Sequence, residues 1–236
     1  MSQYHRIVVL TGAGISAESG IATFRGSDGL WNGHAITDVA TPEGFARNPK
    51  LVHTFYNDRR RQLAEVKANP AHHVLAEFQK SFDGEFTLVT QNVDDLHERG
   101  GSENVLHMHG ELKKVRCVKS GEILKWEQDL FCETVHPHNS KLIGTLRPHI
   151  VWFGEMPLYM EEIEKKLSQC DLFIAIGTSG QVYPAAGFVQ MTPHGCKTVE
   201  INLEPTVISS YFSESHFGPA SIKVPEFLHK IALNSI

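Results

Sequence analysis

The residues best suited to chemistry stand in short polar clusters, each just after an apolar run. Gln91-Asn92-Val93-Asp94-Asp95-Leu96-His97 follows Phe86–Thr90. Amides and carboxylates there can hold ribose hydroxyls and a carboxamide. The alternative is a capped helix start, with Asp94 or Asp95 near its positive end. Val105-Leu106-His107-Met108-His109-Gly110 places two histidines at i, i+2. Such a pair can ligate a metal, or one member can act as a general base. His109 precedes Gly110, and glycine lets a ligand approach the backbone closely. Gly177-Thr178-Ser179 ends the apolar run Leu172–Ile176, and Gln181-Val182-Tyr183-Pro184 follows it. Small donors at that position suit phosphate or ribose oxygens. Asn202-Leu203-Glu204 closes a fourth run, and Glu204 can accept from ribose hydroxyls. That role usually falls to an acid about 20 residues past a glycine turn. Asp28 and Asp38 lie nearer that spacing, but no convincing strand precedes either.

The glycine turn itself is Gly12-Ala13-Gly14-Ile15-Ser16-Ala17, after the apolar Ile7–Leu10. A strand feeding a glycine-rich turn and then a helix presents backbone N–H groups and a positive helix end to a pyrophosphate. Gly12 suits the tight turn, Gly14 admits the phosphate, and Ala17 permits close helix–strand packing. The continuation, Thr23-Phe24-Arg25-Gly26-Ser27-Asp28-Gly29-Leu30-Trp31, is foreign to an ordinary dehydrogenase.

Four segments read as buried parallel strands: Ile7–Leu10, Phe86–Thr90, Leu172–Ile176 and Thr198–Leu203. Helical patterns such as Ala71–Lys80 and Met160–Gln169 separate them. This alternation predicts an α/β, Rossmann-like, doubly wound parallel sheet, whose ligands sit at the carboxyl ends of the strands. Two inserts interrupt it, at about 35–69 and 112–146. The first starts a helix at Thr41-Pro42, with Thr as cap and Pro at the first position, and holds a longer helix over about 51–66. The second carries two cysteines, Trp126 and His136-Pro137-His138. A smaller lobe built from both inserts is expected beside a Rossmann lobe of about 1–34, 70–111 and 147–236, in one catalytic domain.

The chain has 236 residues and a formal net charge of −5, with 41% hydrophobic and 21% charged residues. That is ordinary globular composition, and nothing in it marks a phosphate-backbone footprint, so direct nucleic-acid binding is not expected. No apolar run approaches a membrane span. The apolar part of the N-terminus is too short for a signal peptide, so a cytoplasmic location is expected. Cys117, Cys132, Cys170 and Cys196 are scattered. Cys170 and Cys196 border apolar runs and read as buried packing.

Together these segments resemble the sirtuin family, the NAD-dependent protein lysine deacylases. The resemblance covers GAGISAESGI with TFRGSDGLW, TQNVDDLHERGG, VLHMHGEL, LRPHIVWFGE, IGTSGQVYPAA, NLEP and GPAS, in the family's order from Ile7 to about Ser221. It implies NAD and an acyl-lysine protein or peptide meeting in a cleft between two lobes. By this resemblance Gly12, Ala13, Gly14, Ser16, Gly20 and Ile21 line the pyrophosphate and nearby ribose, and Phe24 and Arg25 cover the nicotinamide end. Gln91, Asn92 and Asp94 hold the nicotinamide ribose and carboxamide, with Asn92 counted among the catalytic residues. His109 matches the general base. Gly177, Thr178, Ser179, Asn202, Leu203 and Glu204 hold the adenosine half, and Ala220 lies near the adenine. Val151, Phe153, Gly154 and Glu155, with Val182 and Tyr183, pair with the substrate peptide by strand addition. The implied products are nicotinamide, O-acyl-ADP-ribose and free lysine.

The long insert helix bears on the acyl group. Val52, Tyr56, Arg59, Leu63 and Val66 form one helical stripe. Arg60 and Arg61 read as solvated, whereas Arg59 sits inside the apolar stripe. It is either snorkelling or in a structural salt bridge, or it is an inward guanidinium one turn from a phenol, able to grip a carboxylate. Tyr-x-x-Arg, with the small Ala40 before it, matches the sirtuin subgroup that removes succinyl and malonyl groups, with acetyl also removed in bacterial members. The family's structural zinc is usually held by two C-x-x-C pairs, which this chain lacks. Cys117, Cys132, His136 and His138 offer a Cys2His2 set, and zinc accepts those ligands. The alternative is a metal-free insert packed on Trp126, Leu130 and Phe131. Mono-ADP-ribosyl transfer and a non-catalytic NAD-sensing module are the other functional readings. An intact Asn92, Asp94 and His109 argues against the second of these.

Overall fold

The computed structural model describes residues 4–23, 30–31 and 33–233. Phe24 and Arg25 lie outside them. Short runs of Val, Ile, Leu and Phe build a six-stranded sheet in the order Glu214–Phe217, Lys197–Asn202, Leu172–Ile176, Arg6–Thr11, Glu85–Thr90, Leu106–His107. Every pairing in it is parallel. Numbered along the chain this order is 6-5-4-1-2-3, the doubly wound arrangement whose direction reverses beside the first strand. All four strands expected from the sequence are present within a residue or so. The two edge strands were not anticipated.

Alternation along the first strand explains why both faces are covered. Ile7 and Val9 pack with Ala71, Leu75, Val224, Phe227 and Ile231, from the helices Pro70–Ser81 and Ala220–Leu233. Val8 and Leu10 pack on the other face with Ile163, Leu167 and Phe188, from Met160–Leu167 and the 3-10 helix Ala185–Met191. Successive strand residues face opposite ways, so a strand buried on both sides must be apolar throughout.

The inserts form local structure of their own. Thr41 caps the helix Pro42–Arg47, its hydroxyl accepting from Gly44 N at 2.9 Å. Asn48 caps the 17-residue helix Pro49–Glu65. That helix buries Val52, Phe55, Tyr56 and Leu63 against Ala40, Leu112, Ile150 and Trp152. Gly110–Cys117, Leu146–Ile150 and Ile123–Lys125 make a separate antiparallel sheet over a small core of Val115, Cys117, Trp126, Leu130 and Leu146. Trp126 and Leu130 pack as anticipated, but Phe131 is 52% exposed and takes no part.

Arg60 corrects a sequence expectation. It is buried, donating through Nε to the Leu112 carbonyl and through NH1 to Asn57 and the Gln128 carbonyl. It ties the long helix to the second insert. Only Arg61 of the neighbouring pair is exposed, paired with Asp58 and Asp129.

Candidate active site

The glycine turn joins the first strand to a helix of only four residues, Gly14–Ala17. A helix this short has little macrodipole, so the positive helix end expected from the sequence is not a principal feature. The glycines serve the crossing of two loops. Gly12 N and Gly14 N donate to the carbonyls of Ile176 and Gly177, both at 2.9 Å. A Cβ on Gly14 would lie 2.6 Å from Gly177 Cα. The first and fourth chain strands therefore end in interlocked turns at the point where strand order reverses.

Behind the turn lies a buried polar network. Ser16 is fully buried, donating to Asp94 at 3.1 Å and accepting from Asn92 Nδ2 at 3.1 Å. Asn92 Nδ2 also donates to the Gly12 carbonyl. Asp94 Oδ1 accepts from Leu96 N at 3.1 Å, so this carboxylate caps a helix start and braces the turn at once. Burial raises its pKa, offset in part by these donors. Asp95 instead pairs with Arg99 and Lys113.

His109 stands where the chain passes from the edge strand Leu106–His107 into Gly110–Cys117 of the second sheet. Its Nδ1 lies 3.1 Å from the Gln91 carbonyl. A carbonyl only accepts, so Nδ1 carries the hydrogen and a neutral ring keeps its lone pair on Nε2. Burial lowers its pKa below 6.5, against a smaller raising effect of the Gln91 bond. His107 grips the next carbonyl, Asn92, and pairs with Glu98 at 2.7 Å. Two histidines at i, i+2 thus hold two consecutive carbonyls of the 91–92 turn. Neither is placed as a metal ligand.

These parts surround a cavity of about 1290 Å³. It exceeds the ~300–1,000 Å³ usual for one small ligand, which leaves room for two. Its walls include Gly12–Gly14, Ile21, Gln91, Asn92, Asp94 and His109. Gly177–Ser179, Asn202–Glu204 and Ala220 line it as well, as do Ala40, Tyr56, Val151–Glu155 and Val182–Pro184. Residues that the sequence reading did not single out also line it, notably Glu18, Trp31, Val93, Trp152 and Pro205–Val207. Trp31, Trp152 and Pro205 sit inside motifs already quoted, which was the available signal. Gly20 and Ser16 are not on the wall.

Several anticipated residues are already engaged. Asn202 Nδ2 donates to the Thr178 carbonyl, fastening two strand ends together. Glu155 accepts from both terminal nitrogens of Arg147, from Arg116 and from Trp152 N, so its carboxylate is a structural clamp. Those partners and Arg147 in particular hold its pKa low against the effect of burial. Arg147 also stacks 3.2 Å above the Trp152 ring. Trp152 Nε1 in turn donates to the Tyr56 hydroxyl at 2.9 Å.

Tyr56 and Arg59 do not share one chamber. Tyr56 belongs to the cleft wall though fully buried, while Arg59 lines an adjoining space of about 50 Å³. Ile21, Ala22, Trp31, Val93 and Asp94 face both. Arg59 Cζ lies 3.4 Å from the Phe55 ring centroid and 4.7 Å from that of Trp31. NH1 donates to the Phe55 carbonyl, and NH2 is buried with no hydrogen-bond partner among the described residues. Burial lowers its pKa to about 10, which leaves it charged at neutral pH.

The four candidate zinc ligands are not gathered at one point. Cys117 is buried against Ser120 N and Thr145, and Cys132 is exposed. His136 and His138 both face Glu122. Among the described residues no three His, Cys, Asp or Glu side chains are grouped to hold a metal.

A sequence model described as the Sir2 family matches residues 12–184. The chain belongs to the Sir2 family, the sirtuins. It is 59% identical over 233 residues to an NAD-dependent protein deacylase of Salmonella typhimurium, covering 98% of this chain and 85% of that one. It is 59% identical over 235 residues to a protein of the same description from Pasteurella multocida, covering 97% and 98%. Its fold superimposes on a Sir2 homolog–NAD complex with a TM-score of 0.88, at 35% identity over 99% of this chain and 92% of that one. A Sir2 protein bound to a propionylated peptide matches with a TM-score of 0.81, at 26% identity over 98% and 95%. No helix among the described residues of this sirtuin is long and apolar enough to cross a membrane.

Proposed function

We propose that this sirtuin is an NAD-dependent protein-lysine deacylase that removes succinyl and malonyl as well as acetyl groups, with His109 as general base. The reading rests on one juxtaposition: a neutral, tautomer-fixed His109 on a cleft that also contains Tyr56 and adjoins Arg59, whose NH2 has no partner among the described residues. NAD fits the cleft's strand-end half, where Gly12–Gly14, Gly177–Ser179 and Leu203–Glu204 form the wall. When bound, it supplies the electrophilic ribose carbon that takes up the acyl oxygen.

The chain's residues do the rest. Ser16, through Asn92 and Asp94, fixes the turn under the nicotinamide half. The Gln91 carbonyl keeps hydrogen on His109 Nδ1, so Nε2 is the atom that accepts a proton from a ribose hydroxyl. Removing a base of this kind typically costs about 10²–10⁴ in rate. The N–H groups of Val151, Phe153 and Trp152 are already bonded, to His109 O, Ala40 O and Glu155 respectively. A substrate strand laid on 151–155 therefore finds most of the N–H groups there already used. Residues 35–69 and 112–146 act as the smaller lobe that closes this end of the cleft.

The acyl preference follows from Arg59. A buried guanidinium NH2 without a partner is costly, and a carboxylate entering the small chamber would satisfy it. Trp152 already donates to the Tyr56 oxygen, so Tyr56 offers its own hydrogen to an acceptor. Arg59→Met is expected to lower kcat/KM for a succinyl-lysine peptide by about 10- to 100-fold, the worth of one charged hydrogen bond. The acetyl-lysine value should stay within about threefold. Equal loss on both substrates would make Arg59 a structural residue.

A further inference from the structure

Two thiols far from the cleft are placed to react with each other. Cys170 Sγ and Cys196 Sγ lie 3.5 Å apart, and both cysteines are reduced. Cys170 ends the turn after Met160–Leu167, two residues before the strand Leu172–Ile176. Cys196 immediately precedes the neighbouring strand Lys197–Asn202. Backbone pairing of the two strands begins just beyond them, where Lys197 N donates to the Asp171 carbonyl at 3.0 Å. The Asp171 carboxylate is itself fixed by the N–H groups of His5 and Arg6. The register sets Leu172 opposite Lys197, so Cys196 falls beside Asp171 and Cys170 one position further along. A disulfide needs its sulfurs about 2.05 Å apart, so closure asks the two sulfurs, now at 3.5 Å, to approach by roughly 1.5 Å.

The two sites differ in access. Cys170 is buried in the apolar layer with Leu167 and Phe173, whereas Cys196 is half-buried at its margin. The contact between the sulfurs, together with burial, raises the pKa of Cys170, and the same contact lowers that of Cys196. The outer sulfur is the nucleophile and the inner one the resolving thiol.

We propose that Cys170 and Cys196 form a peroxide-reactive dithiol that closes to an intrachain disulfide across the foot of the sheet. The Cys196 thiolate attacks a peroxide oxygen, the O–O bond breaks, and hydroxide or alkoxide leaves. The resulting sulfenic acid is attacked by the Cys170 sulfur, an S–S bond forms, and water leaves. The two thiols lose two electrons to the peroxide. The bond staples the amino ends of two strands whose carboxyl ends carry Gly177–Ser179 and Asn202–Glu204. Cys170 is about 23 Å of strand from Gly177, so closure leaves the cleft open.

The test treats the full-length protein with two equivalents of hydrogen peroxide, then alkylates, digests and maps it by mass spectrometry. The expected result is a Cys170–Cys196 crosslink, loss of two alkylation sites and a Tm raised by roughly 5–10 °C, reversed by dithiothreitol. Cys170→Ser should instead trap a dimedone-reactive sulfenic acid at Cys196, and Cys196→Ser should leave Cys170 unreacted. The proposal fails if both thiols stay alkylatable in the wild-type protein. It also fails if Cys196 proceeds to sulfinic acid with Cys170 free, or if the crosslink maps to the exposed Cys132. The wild-type map decides even where a variant folds poorly.

Discussion

His109 carries its functional state in one contact. The Gln91 carbonyl holds the Nδ1 hydrogen, and burial lowers the ring's pKa below the ordinary 6.5. The sign of the pH effect follows: a depressed pKa keeps the base neutral to lower pH. The acidic limb of kcat/KM should therefore have its midpoint below pH 6.5, with a flat profile through neutrality. A midpoint at or above pH 7 would mean another group limits the rate. His109→Tyr should reduce turnover to background while the thermal transition stays close to that of the parent. The candidacy of His109 as a base was legible from the segment VLHMHGEL, but its tautomer was not. The partner carbonyl lies 18 residues away, and only the sheet brings it near. Arg59 shows the same limit. Its unusual place in an apolar stripe was visible in the spacing, yet its stacking on Phe55 and Trp31 and its separation from Tyr56 depend on rotamers that no periodicity encodes.

At the scale of elements, the junction at Gly110 sets His109, the proposed base, in place. Gly110 has φ +83°, and a Cβ there would stand 2.1 Å from the His149 carbonyl oxygen. The sequence suggested that this glycine lets a ligand come close. What comes close is the return strand Leu146–Ile150, paired through Ile150 to Gly110. Gly110→Ala should destabilise the fold by about 3 kcal/mol or more, since strain and overlap both apply. Thermal unfolding measures this, and an unchanged Tm would contradict the geometry. Long apolar runs made the central strands legible to within a residue. The edge strands escaped because Leu106–His107 is two residues long and Glu214–Phe217 is largely polar. The short helix after the glycine turn escaped because Gly20, at φ +96°, follows a segment with good helical residues. Arg60 was misplaced for a different reason: beside Arg61 it looked like a solvated face, and its acceptors come from residues 112 and 128 of the other insert.

Across the whole molecule, the strand order alone locates the cleft. Interlocked turns at Gly12–Gly14 and Gly177 close the reversal point of the sheet, and the second sheet leaves His109 directly. The insert that lacks cysteine pairs is held by Trp126, Leu130 and Leu146, with Cys117 packed among them. Arg116 and Arg147, clamped on Glu155, fasten that insert to the wall that carries Trp152 and Tyr56. The doubly wound class and the membership of the cleft were readable in ordered motifs, while the division of labour inside it was not. Asn202 and Glu155 read as ligand contacts, and both line the cleft, but each also holds strands or loops together through its own hydrogen bonds. The most direct measurement is mass spectrometry of matched acetyl-lysine and succinyl-lysine peptides incubated with the protein, with and without NAD. The account predicts NAD-dependent loss of both acyl groups, with O-acyl-ADP-ribose formed in step. Loss of acetyl alone would contradict the Tyr56–Arg59 reading, and loss of neither would contradict deacylation itself.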